Sequence, residues 1–232
     1  LADGIEVGGD VEGRDNGRGA LACSGQVRLI DAHVRGTASL SGVTLAAPDG
    51  YALLADRLRV GGELYLRRVR CAGTLRLQNA DVGATLDCTG AVLDRPRLRP
   101  DGTMRPSLDL RSATIGKDLL CVGGFVATGG VRVRVMEALK SAQFVDARLG
   151  TTPATSLYAL NAYGLVTTDL VVEPAVAPGG AVRLTQARVA SFSDSPLLWD
   201  AQGGFHIDGF DYQLMNDAGA DLRERLARLE RA

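Results

Sequence analysis

Between Leu58 and Leu93 the apolar residues come in pairs that skip one position: Leu58/Val60, Leu64/Leu66, Val69/Cys71, Leu75/Leu77, Ala80/Val82, Leu86/Cys88 and Ala91/Leu93. The first members lie alternately six and five residues apart. An amphipathic helix repeats its apolar face every three to four residues, and a half-buried strand alternates without interruption; this pattern does neither. An apolar-x-apolar triplet places two side chains on one face of a very short strand and the middle residue on the other. The three or four residues between triplets then turn a corner. Four such sides take about 22 residues, one turn of a β-solenoid in which each coil hydrogen-bonds its neighbours about 4.8 Å above and below. The pattern continues from Leu108/Leu110 to Ala147/Leu149, then through Leu170/Val172, Val176/Pro178, Val182/Leu184 and Ala187/Val189, and closes with Phe205/Ile207 and Phe210/Tyr212. The expected fold is all-β, a parallel β-helix of about eight coils over residues 1–216. A right-handed course follows from the general preference for right-handed crossovers between parallel strands.

A longer unit overlies the coil. "GQVRLIDAHVRGTASLSGVTL" (Gly25–Leu45) returns as "GTLRLQNADVGATLDCTGAVL" (Gly73–Leu93). With the four sides named a to d, starting with Leu58/Val60 on a, extra residues fall at the corner between c and d in every second coil: Ala46–Ala52, Asp94–Ser107, Gly150–Ser156 and roughly Ala201–Gly204. The intervening coils turn that corner tightly with glycine, as in "CSGQV" and "CAGTL". Insertions gathered on one face of a solenoid often mark its working side. The pattern is disturbed in three places. "DNGRG" (Asp15–Gly19) adds a loop, Ala162–Asp169 resists phasing, and Leu198 and Trp199 compete for one inward position. From Asp217 to the end at residue 232, Leu222, Leu226 and Leu229 sit among charged residues at helical spacing. That segment is expected to be an amphipathic helix that caps the solenoid or docks a partner.

Lys and Arg number 26 and Asp and Glu 27, so no net field draws the chain to nucleic acid or an anionic membrane. Nucleic-acid binding, and DNA mimicry by a strongly negative surface, are therefore not expected. No stretch reaches the ~20 apolar residues of a transmembrane helix, and no secretory signal is present. The chain opens in mid-pattern at Leu1, which points to residues upstream. Cys23, Cys71, Cys88 and Cys121 lack the spacing of metal ligands and read as reduced, buried thiols of a cytoplasmic protein.

The phrases "ADV", "ATI", "ARL" and "ARV" resemble those of pentapeptide-repeat proteins, which keep a strict spacing of five. "ADRLRVGGELYL", "GTLRLQNADVGATLDCTGAVL" and "FDYQLM…LRERLARL" resemble repeats of a group of actinobacterial proteins often labelled membrane-associated oxidoreductases. The resemblance covers most of the chain and implies a repeat fold and a redox activity. The residues themselves supply no G-x-G-x-x-G between a strand and a helix and no flavin or haem signature, so no cofactor is expected.

His33 and His206, the two histidines, occupy the middle of triplets on different sides and are expected on the surface, away from any Ser-His-Asp set or zinc site. Outward carboxylates at Asp81, Asp87, Asp109, Glu137 and Asp211 are spread over several sides, which leaves a polysaccharide-acting enzyme as an alternative without a defined catalytic pair. One column stands out. The outward residues of side d read Arg28, Leu54, Arg76, Asp109, Arg132, Tyr158, Arg183 and His206, with arginine in every second coil, roughly 9–10 Å apart. The insertion at Asp94–Ser107 adds Arg95, Arg97, Arg99 and Arg105 beside it. Guanidinium forks match carboxylate and phosphate groups. Two readings remain: a self-satisfied surface ladder, or a non-enzymatic binding module with Arg28, Arg76, Asp109, Arg132, Tyr158, Arg183 and His206 facing an anionic ligand or protein partner. A self-assembling scaffold is a further alternative, motivated by apolar outward residues at Val92, Leu120, Val126 and Val171.

Overall fold

The computed structural model describes residues 2–13, 21–150 and 158–216. The loop at Asp15–Gly19, nearly all of that at Gly150–Ser156 and the segment 217–232 lie outside the described residues. Within them the chain is a parallel β-solenoid of about nine turns, about 23 residues apart. Each strand pairs in parallel with its counterparts one coil before and one coil after. On side a, for example, Asp81–Val82 pairs with Arg59–Val60 on one edge and Thr114–Ile115 on the other.

The sides are only two or three residues long because a turn follows almost at once. Between sides d and a, one residue per coil adopts positive φ: Gly4, Asp31, Arg57, Asn79, Ser112, Val135, Gly164, Gln186 and Gly209. The residue after each one donates its N–H to the carbonyl three positions back, as Ala32 does to Leu29 and Ala80 to Leu77. This is a type II turn, and it recurs between sides b and c at Gly42, Arg68, Gly90 and Asp146. The paired apolar residues point inward as the spacing requires. Leu58, Val60, Leu75, Leu77, Leu108, Leu110, Val131 and Val133 belong to one continuous buried cluster, which includes Phe125, Phe144 and Phe192 among the largest fully buried side chains.

The alternation of tight and inserted corners has a packing cause. A Cβ on Gly73 would stand 2.6 Å from the Ala47 carbonyl oxygen, in the insertion one coil earlier. On Gly129 it would stand 2.3 Å from the Arg105 carbonyl oxygen, and on Gly130 2.3 Å from that of Tyr158. The glycine corners are therefore seats on which the neighbouring insertions rest, which explains a repeat two coils long. At Ala46–Ala52 the insertion is absorbed into one strand, Thr44–Leu54. Around Ala201–Gly204 the corner is itself a tight turn, closed by the Gly204 N–H on the Ala201 carbonyl.

Val176 and Tyr158 differ from expectation, and two places that the spacing left open are decided. In the later coils the corner between a and b straightens, so both sides run through single strands: Glu137–Leu149, Val166–Pro174, Arg188–Asp194 and Asp211–Asn216. A register shift between Ala138 and Ser141 absorbs the change, and in the unphased stretch Ala162, Leu165 and Thr167 are buried, the Thr167 hydroxyl donating to the Lys140 carbonyl. Val176 is 42% exposed, while Pro174 takes the buried position opposite Ala147. Leu198 faces the core at 0% exposure, because a one-turn helix, Pro196–Trp199, replaces side c in that coil and turns Trp199 onto Phe205. Tyr158 leaves the outward column of side d, as described next.

Candidate functional site

Strand pairing fixes the membership of the side-d column. Arg28 pairs with Leu54, Leu54 with Arg76, Arg76 with Asp109, and Asp109 with Arg132. Arg132 then pairs with Asn161, not Tyr158, and the column ends Asn161, Arg183, His206. The cause is an extra residue: Ala159 and Leu160 are both fully buried, and a bulge separates Tyr158 from the regular register. Tyr158 stands opposite Ala181, at the loop-bearing corner.

The side chains of this column are largely satisfied within the protein, most often by partners two residues further along the chain in a neighbouring coil and, for Arg132, by Asp109 of the column itself. Arg28 bonds Asp3 through Nε and Nη2, at 3.0 and 2.7 Å. Arg76 reaches Asp56 at 2.6 Å and bonds the Tyr51 hydroxyl, over whose ring Arg97 also lies at 5.0 Å. Burial alone would weaken proton binding at Arg76, but the Tyr51 and Asp56 oxygens outweigh it and hold the guanidinium more firmly charged. Asp109, almost fully buried, accepts from Arg132 at 3.2 Å and from Gln78 at 2.8 Å, and Arg111 donates to Gln78 in turn. Arg183 and Arg134 lie over Tyr163, at 4.6 and 5.0 Å from the ring centroid. His206 is exposed at the end of the column. Much of the column is thus an interlocked ladder in which Asp109 holds Arg132 but Arg76 turns to Asp56. It is not a stripe of free cations.

One place departs from that. The insertion at Asp94–Ser107 folds into a small hairpin, with Leu98 bridged to Met104, Arg99 N–H on the Thr103 carbonyl and Arg105 N–H on that of Arg97. Its tip is Pro100-Asp101-Gly102, a turn in which Asp101 Oδ1 accepts from the Thr103 N–H and hydroxyl. The stem is anchored by buried Thr74, which donates to the Pro106 carbonyl and accepts the Arg97 N–H, both at 3.2 Å. The hairpin leans over side d beside a small cleft of about 20 Å³. Arg99 enters from the hairpin and Arg132 from the column; Met104, Pro106 and Val131 provide apolar wall, and Tyr158 and Asn161 come from the next coil. Arg99 is held by Nη1 donation to the Thr103 hydroxyl (2.9 Å) and the Met104 carbonyl (2.8 Å). Partial burial, then the nearby Arg132 and Arg105 charges, lower its proton affinity, with Asp101 acting in the opposite sense. Arg105 Nε is buried without an acceptor. Like charges crowded this way disfavour one another's protonated forms.

Sequence reading finds Arg132, Tyr158 and the hairpin arginines but cannot place Asn161 in the column, nor show that Arg28, Arg76 and Arg183 are engaged by Asp3, Asp56 and Tyr163. Elsewhere, His33 and His206 sit at outward positions on separate sides. Asp81 and Glu137 are two coils apart on side a with Thr114 between them, and Asp87 is bonded by Arg67 and Thr89. Burial raises the Cys71 thiol to about 12, and burial beside Cys88 raises Cys121, so neither supplies a thiolate near neutral pH. Among the described residues, no three His, Cys, Asp or Glu side chains gather as metal ligands would, and no helix is long and apolar enough to cross a membrane. No family model matches the chain, and no curated protein matches it.

Proposed function

We propose that this solenoid is a non-catalytic binding module whose recognition point is the corner cleft between Arg99 and Arg132, and that it takes an anionic group. The observation that supports this reading is the meeting of those two guanidiniums, one from an insertion and one from the regular column, across one concavity. Arg76 and Arg183 of the column are engaged by Asp56 and Tyr163, and Asp109 holds Arg132 at the rim. The likeness to actinobacterial repeat proteins labelled membrane-associated oxidoreductases rests on phrases that here build coils; it supports a repeat fold and adds no redox step. Self-assembly has less behind it, because Val92, Leu120, Val126 and Val171 are each half-buried and divided between two sides. The test is titration of the full chain with a panel of small anions, comparing Arg99→Glu with Arg188→Glu, an exposed charge on side a. Arg99→Glu should weaken binding at least about tenfold, while Arg188→Glu leaves it unchanged. Equal behaviour of the two variants removes the cleft as the site.

A further inference from the structure

Side a carries a surface that is independent of the cleft. Its outward column reads Glu6, His33, Arg59, Asp81, Thr114, Glu137, Val166, Arg188 and Asp211, and Val166 is its apolar member. At the adjoining corner between d and a, Val135 holds a φ of 53°, which a β-branched residue rarely adopts and which other coils give to Gly, Asn, Asp, Ser, Arg or Gln. Leu139 lies in the strand that begins at Glu137, and its carbonyl accepts the Thr168 hydroxyl. Val135, Leu139 and Val166 are 53%, 55% and 43% exposed. Apolar side chains thus gather on this face in two consecutive coils.

We propose that this face pairs with the same face of a second copy of the chain, the two solenoid axes running antiparallel. The charges around the patch select that occupant. Glu137 stands one coil before Val166 and Arg188 one coil after. Both are exposed, and among the described residues neither forms a salt bridge. Two coils of rise hold them roughly 9–10 Å apart, too far to bond each other. A two-fold axis along the Val166 strand sets Val166 against itself, Glu137 against Arg188 of the second copy, and Leu139 against its Ala190. The parallel alternative, with the two-fold along the solenoid, opposes Glu137 to Glu137 and Arg188 to Arg188. The column is therefore self-complementary in the antiparallel orientation. Contact ends at Thr168, because beyond it Asp169, exposed on side b, would meet its own copy. From Thr114 to Asp211, five coils of rise and about five residues of strand give a footprint of roughly 400 Å² per copy, the size of a weak, reversible pair rather than an obligate one. The two-fold closes the pair, and Val92, Leu120, Val126 and Val171 lie on other sides.

The experiment is analytical sedimentation of the full chain between about 5 and 500 μM, with Glu137→Arg, Arg188→Glu and the two changes combined. A contact of this size implies a dissociation constant of ~10–300 μM, so the weight-average mass should climb over that span from 24.3 kDa toward twice the value. Each single change opposes like charges twice across the axis and should weaken pairing at least about tenfold. The combined change restores opposite charges and should return pairing to within about threefold of the original. Circular dichroism confirms that the variants fold. A mass that stays at the monomer throughout overturns the proposal. Pairing that ignores the single changes, or that the combined change does not restore, overturns it as well. Each of these results leaves the anion reading of the cleft standing.

Discussion

At Gly83 the backbone of one coil passes so close to the next that a Cβ would stand 2.3 Å from the Gly61 carbonyl oxygen. Gly61 meets the Arg35 carbonyl in the same way at 2.2 Å, and Gly116 meets that of Gly83 at 2.1 Å. These glycines stack at the corner between sides a and b. Their role is steric, because the obstructing atoms are backbone and cannot move aside without breaking the ladder. Gly9, at the same corner in the first coil, has open space around it. Gly83→Ala should therefore lower stability by ~1–3 kcal/mol through overpacking, whereas Gly9→Ala should be neutral or slightly stabilising. Urea denaturation of the two variants decides the matter: equal midpoints would mean that the corner can relax and that the close approach is not a constraint.

The unit of the next scale is the ladder of equivalent positions in successive coils. On side b, Asp87 occupies an outward position, yet its side chain is 4% exposed, because Arg67 from the coil before pairs with it at 2.5 Å and Thr89 closes over it. Burial disfavours its ionised form; the Thr89 hydroxyl and N–H, and then Arg67, outweigh this and hold its pKa below the ordinary carboxylate value. A carboxyl with a lower pKa in the folded state contributes its full stabilisation above about pH 4, and that contribution is lost as pH falls through the folded value. Asp87→Asn should therefore cost ~1–3 kcal/mol at pH 7 and make stability fall less steeply below pH 4; an unchanged acid slope would show that the ladder carries no such linkage. Ladders of this kind also mark how far the sequence could be read. Inward triplets were legible because apolar identity alone reports them, through nearly all of residues 58–149. The reading slipped where an inward position is polar, as at Thr167, where two adjacent residues are both buried, as at Ala159 and Leu160, or where helix replaces strand, as at Leu198. The arginines of side d were legible as a column. Their partners were not, because Asp56 and Tyr51 reach Arg76 from the preceding coil and Tyr163 reaches Arg183 in the same way, contacts that exist only once coils are stacked.

A stack of coils is close to one-dimensional: each unit touches its two neighbours, and the terminal described coils have a neighbour on one side. Burial follows that logic. Leu75, Leu77, Leu108, Leu110, Phe125 and Phe144 in the middle coils are at 0% exposure, while Ile5 reaches 44% in the first and Tyr212 38% in the last. The cleft draws its parts from three consecutive middle coils, since the hairpin belongs to one, Val131 and Arg132 to the next, and Tyr158 and Asn161 to the third. Its backbone is thus hydrogen-bonded on both faces, with Leu110 N–H on the Arg132 carbonyl and Val133 N–H on that of Asn161. A site held this way is preorganised; binding there would add little ordering cost beyond the ligand's own. Native-state hydrogen exchange should then be slowest for ladder amides of the middle coils, such as Leu77, Leu110 and Val133, and should quicken toward Val7 and toward Tyr212. Were the amides beside the cleft to exchange as fast as those of the two ends, the rigid-platform account of the site would fail, and the hairpin would have to be treated as a moving part.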